Sequence, residues 1–232
     1  MDLVAVLPQL HMLRFPVGQA YLWREGAELT LIDAGHRDAA ADIEGAIRSV
    51  GADPRLLRRI VLTHCHRDHV GAADELAQRY GAEVLAHRLD APVVRGEAPT
   101  PQPQLLDWEL PLWENGLTVP EPPPTRVDRE LEDGDLLDFG GGARIVHAPG
   151  HTEGSVAVHL PHHGVLFTGD TVAAVDEVIL GVFNVDREQA LATMRRLASL
   201  APSVACFGHG DPLTRDTATT LLSAAERAST AG

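Results

Sequence analysis

The run Thr63-His64-Cys65-His66-Arg67-Asp68-His69 places four candidate metal ligands within six residues. In an extended segment alternate side chains point the same way, so His64 and His66 can grip one ion while Cys65 faces away. A turn into a helix just beyond would swing Asp68 and His69 toward a second ion. Structural zinc sites are normally closed by four ligands, mostly cysteine sulfur; imidazole and carboxylate donors with open positions suit a site that activates water. The chemistry to which these residues point is metal-assisted hydrolysis.

Such a run needs a strand to deliver it and a helix to receive it. Residues 59–63, RIVLT, form a short apolar run suited to a strand buried on both faces. A helix is expected from about Val70, where GAADELAQRY is closed by Gly81, and AEVLA at 82–86 reads as the next strand. The strand–helix–strand order from 59 to 86 implies parallel pairing through a right-handed crossover. Upstream, LVAVL, QAYLW and ELTLID read as antiparallel strands, and residues 38–50 as a first helix with apolar positions at Ala39, Ile43, Ala46, Ile47 and Val50. Downstream, DLLDF, ARIVHA, SVAVHL and GVLFTG form an antiparallel set. Asp186, with Gln189 three residues on, opens an amphipathic helix, followed by a strand at 203–208 and a helix at 214–229. Each half thus holds strands followed by helices, and two such halves would stack sheet on sheet with helices outside.

The chain has 232 residues, 44% of them hydrophobic, enough for one globular domain with a sizeable core or at most two small ones. It contains no window of eighteen apolar residues, no basic start followed by a long apolar run, and only two cysteines, Cys65 and Cys206. A cytoplasmic protein without membrane or disulfide scaffold is expected. The formal charge of -14 and the lack of any basic run argue against nucleic acid as a partner. Every basic residue is arginine, so lysine-dependent chemistry such as a Schiff base or a Walker-type phosphate loop is excluded as well. Nine of the sixteen prolines fall in residues 91–125, together with Trp108 and Trp113. Neither helix nor central strand can run far there, and an ordered lid-like insertion in a single domain spanning 1–232 is expected, a disordered linker being the alternative.

The motif HxHxDH is followed by His151 in Pro149-Gly150-His151-Thr152, Asp170 in Thr168-Gly169-Asp170-Thr171 and His209 in Gly208-His209-Gly210. This order of elements resembles the metallo-β-lactamase-fold hydrolase superfamily. The resemblance implies an α/β fold of four layers, an αββα sandwich of mixed sheets with helices on the outer faces. It also implies two divalent ions, with His64, His66 and His151 on the first, Asp68, His69 and His209 on the second, and Asp170 bridging. Zinc is the first expectation; manganese and iron suit the same donors. Two such ions lower the pKa of a bridging water toward ~7, which makes a hydroxide nucleophile available at neutral pH. Asp68 would then act catalytically, orienting the attack and relaying a proton to the leaving atom.

Departures from better-known branches narrow the reaction. Lysine is absent and aspartate stands at the bridging position, which disfavours a β-lactam hydrolase of the commonest type. Glyoxalase II carries a helical C-terminal domain, which the 23 residues after His209 are not expected to supply. Lactonases of homoserine lactones carry a tyrosine shortly after the bridging aspartate, where this chain has Thr171-Val172-Ala173. The expected function is a binuclear, glyoxalase II-like metal-dependent hydrolase of a small-molecule carboxylic thioester, ester or lactone. Iron-dependent persulfide dioxygenase and β-lactam hydrolase are the alternatives, and a non-catalytic metal-binding domain is a third reading. Trp108 and Trp113 could form an apolar wall for the acyl group or simply pack onto the domain. Asp33, at a strand end, is open both to holding a ligand histidine and to stabilising a turn. His36 is read as a surface residue, His162 and His163 as a hairpin turn, Cys65 as a small buried residue, and Asp133-Gly134-Asp135 as a β-turn rather than half a calcium loop.

Overall fold

A computed structural model, described over residues 1–230, resolves two units: Met1–Thr100 with Gly116–Leu131, and Pro101–Asn115 with the chain from Glu132 onward. In the first unit, β1 (Asp2–Leu7), β2 (Leu10–Arg14), β3 (Gln19–Glu25), β4 (Glu28–Ile32), β5 (Leu57–Val61), β6 (Glu83–His87) and β7 (Arg129–Leu131) form one sheet in chain order. The pairs from β1 to β4 are antiparallel because short turns join them. From β4 to β7 the pairing is parallel, which demands longer crossovers. Helices α1 (Ala40–Ser49), α2 (Arg67–Val70) and α3 (Ala73–Tyr80) lie in those crossovers, and α4 (Ala91–Val94) follows β6. Leu22, Leu31, Ile60 and Val84 from the sheet share a buried core with Ile43, Ile47 and Leu76 from α1 and α3. The register Leu31↔Ile60 and Ile32↔Val61 brings the ends of β4 and β5 side by side, and the Asp33 amide donates to the Val61 carbonyl at 2.9 Å.

The helix expected from Val70 is interrupted. Gly71 separates α2 from α3 and lies so close to the backbone of His36 and Arg37 that no Cβ fits there. The break falls two residues after His69.

In the second unit α5 (Leu110–Gly116) begins, and β8 (Leu136–Leu137), β9 (Ala143–His147), β10 (Val156–Leu160), β11 (Val165–Phe167), β12 (Val172–Ala174) and β13 (Val178–Leu180) follow. Then come α6 (Arg187–Ser199), β14 (Val204–Cys206) and α7 (Thr217–Thr230). The larger sheet runs β14-β11-β10-β9-β8, antiparallel except for the parallel pair of β11 and β14. The β12–β13 hairpin is not legible in the sequence, since two three-residue runs carry no measurable period. Asp186 caps α6, its carboxylate accepting the Gln189 amide at 2.9 Å. Met194 of α6 and Leu221 of α7 pack with Val172, Leu180 and Phe207 in a separate core. Both large sheets are mixed and accompanied by helices, as the α/β reading expects.

Candidate metal centre

The first unit carries His64, His66, Asp68 and His69 on the turn that leaves β5 and on α2 itself. The His64 and His66 rings meet edge to face with centroids 4.8 Å apart, and the His64 and His69 rings lie 4.1 Å apart. Cys65 turns the other way, into the buried core, and its amide donates to the Asp90 carboxylate at 3.0 Å. Burial pushes the Cys65 thiol up from its ordinary pKa, and the adjacent Asp90 carboxylate pushes it further. A thiol so held is packing, not a nucleophile.

Asp33 ties two of these histidines together. Its Oδ1 accepts the Thr63 amide at 2.7 Å, and its Oδ2 accepts the Thr63 hydroxyl at 2.8 Å and His69 Nδ1 at 2.9 Å. A carboxylate only accepts, so His69 carries its proton on Nδ1. Because the Thr63 hydroxyl proton is committed to Asp33, the Thr63 oxygen can only accept from His64 Nδ1, 2.9 Å away. Both imidazoles are thereby held as Nδ1–H tautomers, with the Nε2 lone pair available to a metal. Of the two roles open to Asp33 in the sequence, orienting ligand histidines is the one the hydrogen bonds serve. It does so from a backbone at φ 60°, a strained conformation for a residue other than glycine.

Gly18 is a functional position that the sequence does not advertise. Its φ is +69°, and a Cβ there would stand 2.9 Å from both the backbone oxygen and the Oδ2 of Asp68. Gly18→Ala is expected to cost about 1–2 kcal/mol in left-handed backbone strain and to displace the Asp68 carboxylate. The variant should melt at a lower temperature and hold metal more weakly; metal titration beside a thermal melt checks both.

The second unit carries the other three residues. His151 follows the Pro149-Gly150 turn after β9, and its Nδ1 lies 2.9 Å from the Val182 carbonyl. A carbonyl accepts, so Nδ1 is again the protonated nitrogen. Asp170 sits on the 3-10 turn Gly169–Thr171, with Oδ2 3.8 Å from His151 Nε2 and 3.2 Å from His209 Nε2. The parallel pairing of β11 and β14 carries both Asp170 and His209. Beyond it the Gly208 amide donates to the Gly169 carbonyl at 3.0 Å. Gly210 then runs against the Ala174 backbone, where no side chain fits, and the Ala174 amide donates to the His209 carbonyl at 2.9 Å.

The donor chemistry in each unit suits divalent metal. His69 Nε2 faces Asp68 Oδ2 at 3.5 Å, and His151 Nε2 faces Asp170 Oδ2 at 3.8 Å. With each Nδ1 protonated, these are lone pairs opposed to carboxylates, an arrangement that a shared cation converts from repulsion into coordination.

The excursion divides its attachments. In the second unit, the Gln104 amide donates to the Asn184 carbonyl at 2.8 Å, and Trp113 meets Phe183 edge to face at 5.2 Å. In the first, Arg67, which lies between His66 and Asp68, donates to the carbonyls of Leu117 and Val119 at 3.1 and 2.8 Å and pairs with Glu121. Trp113 is half-buried, while Trp108 is 54% exposed. Of the other histidines, His36 is half-buried against Phe15, His162 and His163 lie exposed in the β10–β11 turn, and His147 Nε2 bonds the Glu153 carbonyl. Asp133 caps a turn, accepting the His147 amide at 2.8 Å and pairing with Arg196. Among the described residues no helix is long and apolar enough to cross a membrane.

Residues 13–209 match the family described as the metallo-beta-lactamase superfamily, and the chain belongs to it. The uncharacterized protein YobT of Bacillus subtilis is 31% identical over 208 residues, 84% of each chain. A hydroxyacylglutathione hydrolase of Cereibacter sphaeroides is 32% identical over 155 residues, 66% of this chain and 48% of its own. The acyl-coenzyme A thioesterase MBLAC2 of Gallus gallus is 27% identical over 193 residues, covering 68% and 64%. The solved structure of BJP-1, a subclass B3 metallo-beta-lactamase of Bradyrhizobium japonicum, superposes with a TM-score of 0.76 over 100% of this chain and 92% of its own. At 18% identity that likeness is one of fold. The protein is thus a hydrolase of this superfamily, with a set of histidines and aspartates suited to divalent metal.

Proposed function

We propose that the protein hydrolyses a carboxylic thioester, ester or lactone as a single domain with two divalent ions, zinc first among them. His64, His66 and His151 would hold the first ion, Asp68, His69 and His209 the second, and Asp170 would serve both. When bound, the ions supply an activated water and polarise the substrate carbonyl. The protein's own part is orientation. Asp33 and the Val182 carbonyl hold three imidazoles in the tautomer that offers Nε2. Asp68, set at the start of α2 against Gly18, takes and returns the proton that must reach the leaving oxygen or sulfur. The observation that carries the reading is that fixing of tautomers in both units, which a purely structural histidine cluster does not require. Acyl thioesters are favoured among the substrates because two relatives bear names of hydrolases acting on them.

The test is turnover by metal-quantified protein on acyl thioesters, aryl esters, lactones and a chromogenic β-lactam. Exhaustive chelation should abolish acyl turnover, and zinc or manganese should restore it. Full activity after chelation overturns the reading. So does a preference for the lactam over every acyl substrate, or oxygen uptake on a persulfide by iron-loaded protein.

A further inference from the structure

Phe183 holds a backbone φ of +61°, a region that a bulky residue rarely occupies. Such strain persists only where the surroundings over-determine it. Here they do, from both sides. The Val182 carbonyl accepts from His151 Nδ1 at 2.9 Å, and the Asn184 side chain donates to the Gly181 carbonyl at 2.6 Å. The Asn184 carbonyl accepts the Gln104 amide at 2.8 Å, and the Val185 amide donates to the His151 carbonyl at 3.2 Å. A chain that needed only to turn here would do so without strain on glycine. A phenyl ring stands here instead, half-buried and packed edge to face on Trp113. The ring is one peptide away from the carbonyl that orients His151.

We infer that Phe183, backed by Trp113, is the acyl-selecting residue of this hydrolase and that it favours aryl or long aliphatic acyl groups over acetyl. The inference rests on the hydrolase reading above and deepens it. The half-buried side chain offers apolar surface next to the Val182 carbonyl that holds His151, where an acyl chain would gain contact and acetyl almost none.

The test is a thioester series with one thiol and three acyl groups, acetyl, hexanoyl and phenylacetyl, measured on wild type, Phe183→Gly and Phe183→Leu, with metal content and melting temperature alongside. Wild type should prefer hexanoyl and phenylacetyl. Phe183→Gly should lower kcat/KM for both by about 10-fold or more and leave acetyl nearly unchanged, at wild-type metal content. Phe183→Leu keeps apolar bulk without the flat ring, so it should retain hexanoyl and lose phenylacetyl, and it carries the test if the glycine variant fails to fold. Equal losses on all three substrates, a loss of metal parallel to the loss of rate, or a wild type indifferent to acyl length would each overturn the inference while the hydrolase reading stands. A wild type inert toward the whole series and toward esters and lactones would overturn the hydrolase reading itself.

Discussion

Asp170→Ala is expected to yield a folded protein short of at least one metal ion, with acyl turnover reduced about 10²–10³-fold or more. The expectation follows from where the carboxylate stands. Its Oδ2 lies within 3.2 Å of His209 Nε2 and 3.8 Å of His151 Nε2, so its removal takes away a negative group shared by two imidazoles. The backbone around it is held independently of the side chain. Thr168 donates to the Cys206 carbonyl, Gly208 to the Gly169 carbonyl and Gly181 to the Thr171 carbonyl. The turn that bears residue 170 should therefore survive truncation. Metal analysis by mass spectrometry, run beside kinetics on the same preparation, separates a lost ligand from a lost fold. A variant that keeps two ions and full turnover would show that Asp170 bridges nothing.

Asp33→Asn should weaken metal binding about 10–100-fold although Asp33 itself is not one of the proposed ligands. The amide can keep one acceptor for the Thr63 N–H, but its NH2 then confronts the Thr63 hydroxyl and His69 Nδ1–H, both of which donate in the native arrangement. Either His69 shifts its proton to Nε2 and turns a donor toward the metal, or a buried pair of donors stays opposed, at about 1–3 kcal/mol. His64 follows through Thr63, since a hydroxyl released from Asp33 no longer dictates which nitrogen of His64 is protonated. Chelator competition at fixed pH measures the affinity, and a thermal melt without metal measures the fold. Unchanged affinity together with unchanged activity would mean that the tautomers are set elsewhere.

Local patterns carried much of the architecture. The strand preceding the HxHxDH run, the helix 40–49, the cap at Asp186 and the exposed turn at His162 and His163 follow from period, capping and turn chemistry within a few residues. The break at Gly71 escaped because its cause is the backbone of residues 36 and 37, about thirty-five positions away in sequence. Short strands such as β12 and β13 escaped for a different reason: three residues do not make a period. The Pro-rich stretch was legible as an excursion from its composition, but not its two attachments, one through Arg67 and one through Gln104 and Trp113.

By itself the sequence determined which atoms are on offer to a metal, because imidazole and carboxylate side chains announce their chemistry wherever they stand, and the spacing from His64 to His69 is local. Tertiary structure alone decided what each of those atoms must do. The pairing of β4 with β5 brings Asp33 to Thr63 and His69, and the loop after β13 brings the Val182 carbonyl to His151. Backbone carbonyls, the missing side chain of Gly18 and the left-handed turn at Phe183 have no signature in a string of residue names. Their effect is steric and directional, and it exists only once distant segments are packed together.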